Sequence, residues 1–242
     1  AFLCDAVDRV PWVPFVGCHG GALIGADAGE YLKSPELIVR GLQAAIERYR
    51  PDGIPVMFDL QLEAETFGCR LTWARKNPPA VASHPLTEGV RLEDLRVPGP
   101  QDGRIGVVLE AARTLRQANP ELALYGLVTG PFTLLLHLMG TDIFMAMFDE
   151  PERIQQCMEF CAHVATTMAD YYIDAGCDVI ALVDPMTSQI GPEQFGEFVT
   201  PHIAPVFRYV RNRNVLSSFF VCGRAEQNIE VMCGCRPDNV SI

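Results

Sequence analysis

The sequence has no GxGxxG after any apolar run, no CxxC pair, no internal repeat, no low-complexity tract and no basic patch. Without the glycine fingerprint, the dinucleotide cradle of a doubly wound sheet is not expected. Cationic charge is short overall: Lys and Arg total 19 against 30 Asp and Glu, a formal net charge of −11. A chain of that sign repels a phosphate backbone, so nucleic acid is not an expected partner. Arg208, Arg211 and Arg213 read as the solvated face of one helix. The nine cysteines are an odd number, and no secretory signal is read ahead of them. A disulfide framework is therefore not expected, and a reduced, cytoplasmic compartment is. Cys4, Cys18, Cys69, Cys157 and Cys161 read as buried or reactive thiols.

What is present is apolar bulk. With 242 residues and 49% hydrophobic composition, one large domain spanning residues 1–242 is expected. The stretch from Leu122 to Thr141 carries no Asp, Glu, Lys or Arg, long enough to raise a membrane span. Gly126, Gly130, Pro131 and His137 interrupt it, so it divides into a buried strand, a "TGP" turn and a short helix, and no span is expected.

Short apolar runs alternate with helical patterns along the chain. Strands are predicted over Val10–Gly17, Gly53–Phe58, Leu122–Val128, Asp178–Val183, Val215–Val221 and Asn239–Ile242. Helices are predicted from a Ser34 cap to about Tyr49, from about Asp102 to Ala118, and from Asp149–Pro151 to near Gly176. The stretch "GPEQFGEFVTPHIAPVFRYVRN" is helical with breaks at Pro201 and Pro205, and Lys76–Gly89 reads as a loop insertion. Runs apolar on both faces, alternating with helices, imply a parallel sheet covered by helices, hence an α/β fold. Asp59, Asp184 and Cys222 each follow a strand end, where a (β/α)8 TIM barrel places its chemistry. The barrel is accordingly favoured. Six strands are counted where such a barrel has eight, so the chain reads as truncated, and its open parallel edges point to self-association into a homo-oligomer or aggregate.

Each candidate site residue has a plainer reading beside the functional one. Asp59, in "VMFDLQLEAETFGC", is a proton carrier or charge stabiliser at the barrel mouth, or a cap or ion-pair partner; Glu63 is a secondary candidate for binding. His137, in "GPFTLLLHLMG", is a catalytic imidazole or a hydrogen-bonded core residue. His19 and Gly20, in "GCHGG", let a ligand approach the backbone closely, or simply make a turn. Asp184, in "ALVDP", is a substrate contact or a cap. Cys222 alone does not make a zinc site, which takes three or four donors, and Cys233 and Cys235 are placed at the far end of the barrel.

In order along the chain, "RVPWVPFVG", "VMFDLQLEAETFGC", "GLVTGPFTLLLHLMG", "DEPERI", "ALVDPMTSQIGPEQFGEFVTPHI" and "FFVCGRAEQNIEVM" resemble the uroporphyrinogen decarboxylase superfamily, and within it the corrinoid-dependent methyltransferase branch. The resemblance runs over nearly the whole chain and ends about three-quarters of the way through that family's barrel. It implies that Asp59 stands where the decarboxylase has its pyrrole-binding aspartate, that "GCHGG" replaces the arginines which bind the substrate's carboxylates, and that His137 stands at the family's tyrosine. It also implies that Cys222 is the cysteine of a zinc-binding His-x-Cys pair whose histidine is here Phe220.

From that resemblance the expected activity is corrinoid-linked methyl transfer between a methylated donor, or a methyl-corrinoid (methylcobamide) as co-substrate, and an acceptor such as a thiol. Asp59, His137 and Asp184 are the expected catalytic residues, His19, Gly20 and Glu63 the expected binding residues, and Cys222 the one expected ligand of an incomplete zinc site. A corrinoid protein and a small methyl donor or acceptor are the expected partners. The alternatives are a decarboxylase of a tetrapyrrole or smaller carboxylated substrate, and a non-catalytic corrinoid or porphyrin binder.

Overall fold

The computed structural model describes residues 8–242, so Cys4 lies outside the described residues. Helices α1 (His19–Leu23), α2 (Ala28–Tyr31) and α3 (Pro35–Tyr49) lead into strand β1 (Gly53–Pro55). The α3 start is built as its sequence demands: Ser34 Oγ accepts from Leu37 N at 3.2 Å, and Pro35 takes the first turn, where its missing N–H costs nothing. Helix α4 (Leu62–Thr66) follows, then a small antiparallel hairpin of β2 (Leu71–Thr72) and β3 (Ala80–Val81), and α5 (Ile105–Ala118). Strand β4 (Ala123–Thr129) leads to α6 (Pro131–Met139), α7 (Asp142–Asp149) and the long α8 (Pro151–Asp174). Strand β5 (Val179–Val183) is followed by a single turn α9 (Pro192–Gln194), a π-helical turn over Phe195–Val199 and α10 (Thr200–Asn212). Strand β6 (Leu216–Phe220), α11 (Ile229–Gly234) and β7 (Asn239–Ser241) complete it.

The main sheet has the order β1-β4-β5-β6-β7, all parallel, with Gly53 opposite Ala123, Tyr125 opposite Val179, Val179 opposite Leu216 and Ser218 opposite Asn239. Each new strand joins the same edge, with no reversal of order. A doubly wound sheet reverses, whereas a barrel adds strands in one direction, so this order is that of a curled, half-barrel α/β sheet. The two faces separate accordingly. The large core, including Leu124, Val128, Ile180, Leu182 and Phe219, packs under the helices, while Tyr125, Leu127, Val179, Ala181 and Val183 form a second apolar cluster on the concave side.

Three expectations are corrected. Val10–Gly17 forms no ladder, so the main sheet has five strands among the described residues rather than six. Pro11 and Pro14 each lack the N–H a ladder needs, and Gly17 turns at φ 50°. The segment is instead tied to Asp52, with Trp12 N donating to its Oδ2 at 2.8 Å and Asp52 N donating to Trp12 O at 2.9 Å, and Val13 packs on the concave cluster. The Lys76–Gly89 insertion contributes β3 to the hairpin and a 3-10 turn at Pro85–Thr87. Pro201 and Pro205 do not break α10: Pro201 falls in its first turn, and Pro205 sits inside a continuous helix.

No single helix among the described residues is long and apolar enough to cross a membrane. The pair α6 and α7 passes only jointly and bends by 103° between them. The eight described cysteines are all free, and Cys69, Cys157, Cys161, Cys177 and Cys235 are buried. Burial pushes the Cys69 thiol up to about 12 and raises that of Cys161 well above the ordinary thiol value, so neither is a thiolate at neutral pH.

Candidate functional site at the carboxyl ends of the strands

Asp59 leaves the chain just after β1, and its side chain is fully buried. Its Oδ2 accepts from Arg104 Nη1 at 2.5 Å and its Oδ1 from Gln61 N at 2.9 Å. Arg104 Nε also donates to Glu65 Oε2 at 2.7 Å, and the guanidinium lies 4.9 Å from the Trp73 ring centroid, which Lys33 approaches at 3.8 Å. Burial works to lower the Arg104 pKa, but Asp59 and then Glu65 more than reverse it and hold the guanidinium above its usual value. Arg104 Nη2 is buried without a hydrogen-bond partner among the described residues.

Glu63, in the first turn of α4, is 1% exposed. Its Oε1 accepts from Thr129 N at 3.0 Å, and its Oε2 lies 2.6 Å from Thr129 Oγ1, which is also 3.1 Å from Leu60 O. A threonine hydroxyl carries one proton, so it cannot donate to both oxygens. Once Glu63 is protonated both contacts are satisfied in sequence: the carboxyl donates to Oγ1, and Oγ1 donates to Leu60 O. Burial, with a smaller push from the Asp59 charge, raises the Glu63 pKa to about 7 against the opposing bonds from Thr129.

Asp184 follows β5 and is fully buried. Its Oδ1 accepts from Thr133 N at 2.7 Å and Thr133 Oγ1 at 2.6 Å, and its Oδ2 from Phe132 N at 3.2 Å. These are free amides of the first turn of α6, so the carboxylate caps that helix from a neighbouring strand. Burial nonetheless raises its pKa to about 6. The "TGPFT" block is thus gripped from two sides, Glu63 holding Thr129 and Asp184 holding Phe132 and Thr133. Gly130 lies between them; a Cβ there would sit 2.2 Å from Asp184 Cβ, so only glycine fits.

The remaining expected residues fall elsewhere. His137 is near the far end of α6, hydrogen-bonded to none of these carboxylates. Its carbonyl, left free by the helix end, accepts from Cys69 Sγ at 3.4 Å and His84 Nδ1 at 2.8 Å, while its own Nδ1 is buried without a partner among the described residues. Burial, and then the His84 charge, lower its pKa to about 4, so the ring is neutral at pH 7. His19 Nε2 is 2.7 Å from Tyr49 Oη. Gly20 is a helix-crossing residue: its would-be Cβ meets Tyr31 Oη at 2.5 Å, and that of Gly41 meets Gly20 O at 2.6 Å. Cys18 and His19 line a cleft of about 650 Å3 whose walls include Asp27, Arg75 and Lys76. Burial, with the Asp59 charge adding to it, pushes the Cys18 thiol up to about 11.

Phe220 ends β6 on the concave side. Its ring is 5.0 Å from that of Phe15, which in turn meets Phe58 at 5.7 Å, so an aromatic row crosses the sheet next to Asp59. Cys222 is exposed two residues later. No three His, Cys, Asp or Glu side chains among the described residues are placed to hold a metal ion. Zinc therefore does not fit the residues present, since a phenylalanine has no lone pair to offer and one exposed thiolate is not a site.

Arg104 was not legible as a site residue from the sequence, although an arginine at the N-cap of a helix works against the macrodipole and so signals another partner. Thr129 and Thr133 gave no signal beyond their place in the "TGPFT" block.

A half-barrel of parallel strands with its polar residues gathered at the carboxyl ends is the arrangement in which barrel folds place their chemistry. The chain belongs to the uroporphyrinogen decarboxylase (URO-D) family, whose model matches residues 1–242. It is 28% identical over 185 residues to the methylcobamide:CoM methyltransferase MtbA of Methanosarcina acetivorans, covering 75% of this chain and 55% of that protein. It is 26% identical over 226 residues to the methylcobamide:CoM methyltransferase MtaA of Methanosarcina barkeri, covering 90% and 65%. A uroporphyrinogen decarboxylase of Prochlorococcus marinus is 21% identical over 192 residues, covering 76% and 54%. Among solved structures, a methyltransferase from Methanosarcina mazei superposes with a TM-score of 0.90 at 26% identity, covering all of this chain and 73% of that one. The chain thus spans between 55% and 65% of the length of the curated methyltransferases MtbA and MtaA.

Proposed function

We propose that the five-strand arc belongs to a single (β/α)8 barrel domain and serves corrinoid-linked methyl transfer, moving a methyl group from a methyl-corrinoid, delivered by a corrinoid protein, to a small thiol acceptor. The observation that carries this over decarboxylation is the state of Arg104. It is the only buried Lys or Arg among the described residues, and both Asp59 and Glu65 already pair with it. A polycarboxylate would enter the mouth without a buried cation to meet it, at a large desolvation cost.

In the displacement, the acceptor sulfur supplies the electron pair of the new S–C bond, the pair of the broken bond leaves with the donor, and the thiol proton must go elsewhere. Glu63 changes charge close to neutral pH, so it is the group assigned to take that proton. Asp59, fixed by Arg104, orients the polar end of the mouth, and the row of Phe58, Phe15 and Phe220 offers an apolar wall to a planar co-substrate. Asp184 positions the start of α6 rather than touching substrate. His137 lies a helical turn beyond Thr133 and is assigned to packing. No step is assigned to zinc or to Cys222.

The test is an assay with free methylcobalamin and a panel of small thiols, followed by visible absorbance and thioether formation. Thioether is expected with at least one thiol, with turnover falling at least tenfold in Asp59→Asn. Saturable cobalamin binding with no thioether from any thiol would favour the non-catalytic reading, which the Phe220 ring at the histidine position supports. Carbon dioxide release from a carboxylated tetrapyrrole would instead establish the decarboxylase.

A further inference from the structure

Helix α10 presents Thr200, Ala204, Arg208 and Arg211 at spacings of four, four and three residues, which is one stripe of a helix. That stripe meets the end of α11, where Gly234, Cys235 and Arg236 leave the helix, and the two enclose a cleft of about 420 Å3. Among the described residues, three arginines line it and no acidic residue does. Arg208 and Arg236 form no ion pair among the described residues. Arg211 has Asp238 at 3.8 Å and donates a hydrogen bond to the Arg236 carbonyl.

Arg236 is held at φ 60°, in the left-handed region. That conformation strains a residue with a Cβ, and glycine would adopt it freely. The turn is closed by Arg236 N donating to Cys233 O at 2.9 Å, and its carbonyl is clamped by Arg211. The chain therefore carries a long cation where the backbone favours glycine, and fixes it beside two more.

We propose that this cleft binds a small phosphate-bearing anion of the diphosphate class. Guanidinium forks match phosphate oxygens in pairs, and three of them exceed what one carboxylate can engage. The protein's net charge of −11 disfavours a long polyanion, but among the ion pairs of the described residues Asp238 is the one carboxylate set against the three arginines, and charges beyond a screening length of about 8–10 Å count for little. Arg211 and Arg236 precede the first residues of β6 and β7, at the amino-terminal end of the sheet, whereas Asp59 and Asp184 sit at its carboxyl end. The cleft is therefore separate from the mouth assigned to methyl transfer and does not depend on that assignment.

The experiment is calorimetric titration of the whole chain with pyrophosphate near 0.1 M ionic strength, for the wild type, Arg208→Gln and Arg236→Gly, with citrate and single-stranded RNA as competing probes. Saturable one-to-one binding is expected for the wild type, weakened about tenfold or more by either substitution. Arg236→Gly should keep or raise the thermal midpoint, because glycine relieves the left-handed turn, so its loss of binding cannot be a loss of fold. Absence of saturable binding to the wild type, equal binding by both variants, citrate binding as tightly as pyrophosphate, or RNA binding more tightly than pyrophosphate would each overturn the proposal.

Discussion

Arg104→Ala is expected to destabilise the fold by about 3–5 kcal/mol, because it removes the charge partner of a carboxylate that has no water to turn to. The Asp59 side chain is fully buried, and the bond from Gln61 N is all that it would retain of its two partners. Glu65, about one-third exposed, can rotate towards solvent, so its loss of Arg104 counts for little. Trp73 would also lose the cation over its ring. Urea unfolding of the single variant against Arg104→Met/Asp59→Asn separates the causes. If the penalty is the orphaned charge, the double variant recovers most of the lost stability, since removing both charges leaves nothing uncompensated. If it is packing against Trp73, methionine alone restores it, and the Asp59 change adds nothing.

That pair also marks where sequence reasoning stops. Asp59 was legible because it follows an apolar run, and position after a strand is a local property. Arg104 lies 45 residues away, and only the packing of α5 against the mouth brings the two together. The same holds for Asp184, whose place at a strand end was plain but whose choice between substrate contact and cap depended on where the first turn of α6 would lie. The buried strands β4 and β5 announced themselves by apolar runs on both faces, and β6 by the apolar residues on either side of Ser217 and Ser218. Val10–Gly17 imitated them in composition, but its prolines removed ladder donors, and the segment went to the concave side instead. The hairpin strands, two residues each, are too short to carry any alternation. Phe220 was legible as a departure from a metal-binding pair. Its tilted ring contact with Phe15 gives that departure a physical content, an apolar wall in place of a donor.

Glu63→Gln is expected to make the protein more stable at pH 8 by about 3 kcal/mol and to change it by less than about 1 kcal/mol at pH 5. The folded-state pKa of Glu63 is raised to about 7, above the usual carboxylate value it regains on unfolding. Between those two values the folded state holds the proton more tightly, so its contribution is intact in acid and is lost as pH rises through about 7. Glutamine mimics the protonated form: its oxygen accepts from Thr129 N, its amide donates to Thr129 Oγ1, and that hydroxyl stays free to donate to Leu60 O. Asp184, raised to about 6, acts in the same direction, and His137, lowered to about 4, acts in the opposite one as pH falls below its unfolded value. Both are present in wild type and variant, so they cancel in the difference between the two urea midpoints. A flat difference from pH 5 to pH 8 would mean that Glu63 is ionised throughout and that the Thr129 hydroxyl points to it. The same variant bears on function, because a group that takes the thiol proton cannot be replaced by an amide without losing turnover. A protein that gains stability at pH 8 while thioether formation collapses would locate in Glu63 a carboxyl kept near neutrality at the expense of the fold. Gained stability with unchanged turnover would confine Glu63 to holding the end of β4.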